Sequence, residues 1–395
     1  MSDSDSDSDV SFDENASTTD EEDFEKDQAE STKPTENDDD QDEEEDEIFK
    51  KFKKEQQKQR NHPPDIEFED HIVDLCFHPT ENLIAVANIV GDVSVCKYSN
   101  EENNVIDTWE LHTQACRDIE FDDEGDILYS TSKDRTLMVT DVKTGKLKAF
   151  VDDAHEVPIN CLQVINEDCI ASGDDDGRIR FWDLRNNTKT PIYQTKKHDD
   201  FISDMVVDDN KTFLICASGD GTISSIDLKN RSFFLQSEEY DEEFTSLGLF
   251  RHGHKLLAST SKGKMYLFNW REFGYHSDEF PGPKQSINKI IPVTQNIVVT
   301  GNEDGILRGT HLFPHRQLGI VGQHQLSVEC MDICNDGTLI ASSSFRNEVK
   351  FWNISYFEHF RLTNLKEKKN KKQLTNNLPS SKQTNRKDFF ADLGT

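Results

Sequence analysis

The 395-residue chain has no apolar run approaching the roughly 18 residues that a membrane-spanning helix requires. It opens on serine and acid rather than on a basic and then apolar leader, so neither secretion nor membrane residence is expected. Its eight cysteines (Cys76, Cys96, Cys116, Cys161, Cys169, Cys216, Cys330, Cys334) form no C-x-x-C motif, and Cys330 and Cys334 have no paired histidines at ligand spacing. They read as reduced core residues of a cytosolic or nuclear protein. A phosphate-cradling glycine loop, a nucleophile elbow and a pocket-forming carboxylate pair are all missing. The acidic run Asp174–Asp176 lacks the twelve-residue calcium-loop pattern and its terminal Glu. Base is also scarce: 44 Lys and Arg face 77 Asp and Glu, for a net charge of −33. These absences point away from an enzyme, a metal site or a cofactor, and toward macromolecular binding.

What the chain does have is a repeat. One turn position recurs as Gly91, Arg135, Gly177, Gly221, Gly263, Gly305 and Asn347, at spacings of 44, 42, 44, 42, 42 and 42 residues. Six residues further on stand Lys97, Asp141, Asp183, Asp227, Asn269, His311 and Asn353. The third unit is the clearest: an apolar run from Cys169, a turn at Asp176-Gly177, and an alternating strand ending in Trp182-Asp183. Asp-Gly suits a tight hairpin because glycine adopts positive φ without steric cost. Apolar runs of the same kind stand at Leu83–Ala87, Ile127–Ser130, Phe213–Ala217, Leu256–Ser259, Ile297–Thr300 and Leu339–Ser342. A period of about 40–45 residues with a Trp-Asp ending predicts an all-β chain folded as a seven-bladed WD-repeat β-propeller, one four-stranded blade per repeat. Pro64–Glu69, with Ile66 and Phe68 alternating, is expected to supply the outer strand of the last blade and close the ring, which removes exposed sheet edges.

A second marker repeats independently. His112, His155 and His198 are 43 residues apart, and His324 follows His198 by 126. In WD repeats such a His joins a Ser or Thr, an Asp and the Trp in a buried hydrogen-bonded set, and the resemblance assigns His155, Ser172, Asp176 and Trp182 to these four places. Blade two keeps His112, Ser130 and Asp134 with Thr140 at the Trp position; blade four keeps His198 and Asp220 with Cys216 and Ile226; blade seven keeps His324, Ser342 and Trp352 with Arg346 replacing the Asp. His, Ser and Asp together also spell a hydrolase. Recurrence at the fold period marks a blade staple instead.

Charge divides the chain into three parts: an acidic arm (1–62), the propeller (63–360) and a basic tail (361–395). Residues 1–50 contribute −20, residues 51–62 contribute +4 and the tail contributes +6, which leaves −23 on the propeller. The arm, with few apolar residues and high net charge, is expected to be disordered apart from a short helix over 47–60, and the tail largely disordered. An acidic platform repels phosphate backbones, so direct nucleic-acid binding by the propeller is not expected; basic proteins match it better.

Four features could carry a partner. Trp182-Asp183-Leu184-Arg185 resembles the W-D-x-R signature by which some propellers engage the adaptor of a cullin-type ubiquitin ligase; Asp183 and Arg185 would carry it, and the alternative is a repeat residue followed by a solvated loop charge. Ser2, Ser4, Ser6, Ser8 and Ser11 adjoin acid, as acidophilic-kinase substrates do, and phosphate would add roughly −1.5 to −2 charge at each. Lys366–Lys372 reads as a nuclear import run or as a solvated tail. Phe389, Phe390 and Leu393, within Arg386–Leu393, read as a short docking motif or as a segment packed back onto the propeller.

The acidic Ser-rich opening, the seven degenerate repeats, the Lys-rich extension and the ending Asp388-Phe389-Phe390-Ala391-Asp392-Leu393 together resemble the WD repeat-containing protein 55 family. Blades one, five and six depart from the Trp-Asp ending, with Cys96-Lys97, Phe268-Asn269 and Thr310-His311. The resemblance implies a nucleolar scaffold for ribosomal RNA processing and large-subunit assembly. Such a scaffold would be a monomer within larger complexes, in the nucleus and nucleolus and also the cytoplasm, with basic pre-ribosomal proteins as partners. Alternatives are a ubiquitin-ligase substrate receptor and a histone-binding chromatin module.

Overall fold

The computed structural model describes residues 61–185 and 190–360. These form seven four-stranded antiparallel sheets arranged as a β-propeller. Within blade 1 the strands are Ile72–Phe77, Leu83–Asn88, Asp92–Lys97 and Asn104–Glu110, each hydrogen-bonded to the next in sequence. The same up-and-down order repeats through blade 6. The innermost strands of blades 2 to 7 are Cys116–Phe121, Ile159–Asn166, Ile202–Val207, Phe244–Phe250, Ile287–Thr294 and Val328–Ile333. The apolar runs legible in the sequence are the second strands from the axis, buried along nearly their whole length, as in Phe213–Ser218.

Blade 7 takes its fourth strand from the chain's beginning. Ile66 lies opposite Val349 and Glu67 opposite Glu348, and the Phe68 N–H donates to the Asn347 carbonyl at 2.9 Å. The expected closing strand is therefore present, with Ile66 buried and Phe68 packed against the cluster between blades 7 and 1.

Seven apolar clusters account for the core, and each is shared by two adjacent blades. Between blades 1 and 2, for example, Ala85, Ala87, Val93, Val95 and Trp109 meet Cys116, Ile119, Phe121 and Leu128. Strand alternation produces this: Ile84 and Val86 face blade 7 while Ala85 and Ala87 face blade 2. No blade is stable alone, because half of each sheet's apolar surface is covered only by a neighbour.

The recurring turn position has a single physical basis. Gly91, Arg135, Gly177, Gly221, Gly263, Gly305 and Asn347 all adopt positive φ, between 59° and 113°. The turn also lies against the loop that enters the next blade. A Cβ on Gly177 would stand 2.6 Å from the carbonyl oxygens of both His198 and Asp200. Arg135 and Asn347 take the left-handed conformation as non-glycines.

Candidate functional site: staples, axial carboxylates and the Arg185 cleft

Blade 3 shows the repeated polar set in full. His155 Nδ1 lies 2.8 Å from Asp174 Oδ2, His155 Nε2 lies 2.6 Å from Ser172 Oγ, and Trp182 Nε1–H donates to the same Ser172 oxygen at 2.8 Å. Burial holds the His155 imidazole below its ordinary value, so it is neutral. Its Nδ1–H then donates to the Asp174 carboxylate, and Nε2 accepts the Ser172 hydroxyl. The carboxylate is Asp174 and not Asp176. Asp176 sits exposed in the turn, where its backbone N–H donates to Asp174 Oδ1 at 3.1 Å. Because Asp174 ends the second strand rather than opening the turn, aligning the turns alone picks the wrong member of the Asp174–Asp176 run.

Blades 2, 4 and 7 carry versions of the same set built from different residues. In blade 2, His112 contacts Ser130 and Thr136, each at 2.8 Å, with Asp134 held by Thr136. In blade 4, His198 contacts Thr222 at 2.9 Å and Ser224 at 2.7 Å; Ser224, on the third strand, supplies the hydroxyl that Cys216 cannot. Blade 7 keeps Trp352 and His324 on Ser342, both at 2.7 Å. Although these sets have the wiring of a Ser-His-Asp hydrolase, Ser172 and His155 are buried beneath the Trp182 indole and a substrate carbonyl has no approach to them.

A second polar set lines the axis. Asp74, Asp118, Glu120, Asp204 and Asp332 project from four innermost strands around Lys289, beside a cavity of about 180 Å³. Each carboxylate captures a backbone N–H of another blade: Asp74 that of Ile119 at 3.0 Å, Asp118 that of Leu162 at 2.7 Å, Asp204 that of Leu247 at 2.8 Å, and Asp332 that of Phe77 at 2.7 Å. Glu120 accepts from the Val164 N–H at 2.6 Å. The innermost strand of each blade is an edge of its sheet, so its alternate amides have no ladder partner, and these carboxylates satisfy them across the blade boundary.

Crowding and burial set the protonation of this ring. Burial pushes Glu120 up to about 8 and Asp332 up to about 6. Asp118 is raised by burial and by the neighbouring Asp74. Burial alone would lower Lys289, but Asp204, Asp118 and Asp74 outweigh it and hold the ammonium charged, with Asp204 at 3.3 Å. Lys289 retains 37% of its side-chain exposure because it faces the channel. The composition of these strands gave no sign of this ring: one Asp in a short strand reads as a surface charge until the strand is known to be innermost.

The Trp182-Asp183-Leu184-Arg185 segment ends the third strand of blade 3 at a cleft of about 460 Å³ between blades 3 and 4. Arg185 folds back onto Asp183, with Nε to Oδ1 at 3.0 Å and Nη2 to Oδ2 at 2.7 Å, and lies 3.6 Å from Asp168. The Asp183 carboxyl is held below its usual value by this guanidinium. Arg185 is 63% exposed, so a partner carboxylate could replace Asp183 on its fork without rearranging the blade. The cleft also holds Lys211, Lys229 and Arg231, which with Arg185 balance Asp123, Glu167, Asp168 and Asp183 on its walls, so that acid and base are mixed there. The acidic arm through residue 60, Lys366–Lys372 and the motif of Phe389, Phe390 and Leu393 lie outside the described residues.

All eight cysteines are free; burial raises the thiols of Cys76, Cys116, Cys161 and Cys330 well above their ordinary value, which makes them poor nucleophiles. Among the described residues no helix is long and apolar enough to cross a membrane, and no cluster of three or more His, Cys, Asp or Glu has metal-binding geometry.

Comparison with known proteins agrees with this architecture. The model of the WDR55 family matches residues 63–357, the whole propeller. The chain is 52% identical over 339 residues to the WD repeat-containing protein 55 homolog of Aedes aegypti, covering 86% of this chain and 72% of that one. It is 46% identical over 338 residues to the homolog of Drosophila willistoni, covering 85% and 67%. With the seven closed blades, the repeated staples and matches of this extent, the chain belongs to the WDR55 family.

Proposed function

We propose that the protein is a non-catalytic scaffold that holds basic proteins during ribosome assembly, in the nucleus and nucleolus. Family membership and the propeller fold support a protein-interaction role. The observation that carries the finer reading is electrostatic: the propeller span bears −23 while its polar chemistry is consumed internally by staples and axial amides. Such a surface attracts Lys- and Arg-rich proteins and repels bare phosphate backbones, so RNA in an assembling particle would be met through its proteins. Sedimentation of the tagged chain through a sucrose gradient tests this. Co-migration with large-subunit precursors that persists after limited nuclease treatment supports the reading, and migration as a free monomer under all conditions contradicts it.

A second reading, as substrate receptor of a cullin-type ligase, draws on the exposed Arg185, paired with Asp183 in the cleft between blades 3 and 4. Arg185→Ala would then abolish adaptor capture with an unchanged melting temperature. Retention on histones after nuclease treatment would favour the chromatin alternative.

A further inference from the structure

The repeat supplies an internal control for surface residues. Two residues before the positive-φ position, blades 2 to 6 carry Lys133, Asp175, Gly219, Ser261 and Glu303, whereas blades 1 and 7 carry Ile89 and Phe345. One residue later, blades 2, 4 and 6 place Asp134, Asp220 and Asp304, each of which caps its own turn by accepting a backbone N–H. Blades 1 and 7 place Val90 and Arg346 there. In blade 7 the staple suffers for it: His324 Nδ1 is buried without a hydrogen-bond partner, 3.6 Å from Glu348. Large apolar side chains thus occupy these turn positions in only two blades, Ile89 and Val90 in blade 1, whose turn Asn88 caps instead, and Phe345 in blade 7, and ring closure makes those two blades adjacent.

The replaced residues form one patch. The His71 ring stacks on Phe345 with centroids 4.8 Å apart, and the Ile89 N–H donates to the His71 carbonyl at 2.9 Å. Leu326 stands two residues before Val328, whose ladder partner Ser344 adjoins Phe345. Ile89, Val90, Leu326 and Phe345 are 51%, 50%, 46% and 55% exposed. An apolar group of this kind on one face marks an interaction surface. Glu69, Asp70 and Glu303 rim it, and the same face continues into exposed Asp176, Asp199, Asp200 and Asp241 on blades 3 to 5.

We propose that this face docks a basic segment of a partner protein, with an aliphatic or aromatic anchor seated among Ile89, Val90, Leu326 and Phe345 and its lysines and arginines lying toward the acidic turns. The charge selects the occupant: a second copy or an RNA would bring like charge to the acidic turns, while a basic chain is steered to them. Arg346, exposed and without an ion pair among the described residues, donates to a backbone carbonyl of the docked segment. The inference rests on the scaffold reading above and names the face that the scaffold uses.

Replacing Phe345 with photo-reactive benzoyl-phenylalanine in the full-length chain tests it, with Lys229, on the opposite face, replaced in the same way as a control. The residue at 345 is expected to join an apolar position flanked by Lys or Arg in a partner protein. Phe345→Ser with Ile89→Ser is expected to cut recovery of that partner about tenfold, as loss of a central anchor does, with an unchanged melting curve. Cross-links into residues 361–395 of the same chain, a second copy, an acidic segment or RNA would overturn the proposal, as would no cross-link at 345. The two readings separate cleanly. A basic apolar segment from a protein outside the ribosome keeps the docking face and ends the assembly reading; intact co-sedimentation of the double-Ser variant with precursors keeps the assembly reading and ends the docking face.

Discussion

Ser172 shows how a single oxygen organises a blade. It joins the imidazole of His155 to the indole of Trp182, and so ties the loop entering the blade to its second and third strands. Asp174→Ala leaves a buried imidazole N–H without an acceptor and is expected to cost about 2–3 kcal/mol, while Asp176→Ala, in the exposed turn, should change stability by less than about 0.5 kcal/mol. Chemical denaturation of both variants checks the assignment; equal losses would contradict it. Trp182→Ala removes the largest fully buried side chain and should cost about 3–5 kcal/mol.

The axial residues respond to pH in the opposite sense to ordinary surface carboxylates. Glu120 and Asp332 have folded-state values raised above those of the unfolded chain, to about 8 and about 6. Their contribution is therefore fully present below the unfolded values and is lost as pH rises through 6 and then 8. Glu120→Gln, neutral throughout, should melt higher than the native chain at pH 8.5, and that advantage should vanish by pH 5. A difference that does not change with pH would contradict the assignment. Lys289→Met leaves several buried carboxylates without their countercharge; because the channel admits water, the loss should be about 1–3 kcal/mol, below that of a fully dry pair.

At the scale of elements, the ring depends on turns and on one borrowed strand. Gly177→Ala forces a Cβ against two carbonyl oxygens at positive φ and should cost about 1–3 kcal/mol. Ile66→Asp places a charge in the cluster between blades 7 and 1 and should lower the melting temperature, since the first strand is what covers the edge of the last blade. Much of this was legible in the sequence. The second strands read as apolar runs because they are covered on both faces, and the closing strand read from the alternation of Ile66 and Phe68. The outermost strands did not: Asn104–Glu110 exposes all but Trp109, so its pattern carries no period-2 signal. The function-bearing features were less legible still. The axial carboxylates matter only because their strands are innermost, and the Ile89–Phe345 patch exists only because the ring closes.

At the scale of the molecule, an acidic propeller spends its internal polar groups on holding blades together and presents its turns to partners. A cleft of balanced charge beside Arg185 interrupts the acid on the edge between blades 3 and 4, and an apolar patch interrupts it where blades 7 and 1 meet. Salt dependence should follow: capture of basic partners through the acidic turns should weaken as ionic strength rises, while the part held by the apolar patch should persist. The most direct measurement of the central claim is affinity capture of the tagged full-length chain at moderate salt, with and without nuclease, followed by mass spectrometry. Recovery of basic pre-ribosomal proteins as the dominant nuclease-resistant set is the predicted result. Their absence, with a ligase adaptor or histones in their place, would contradict it.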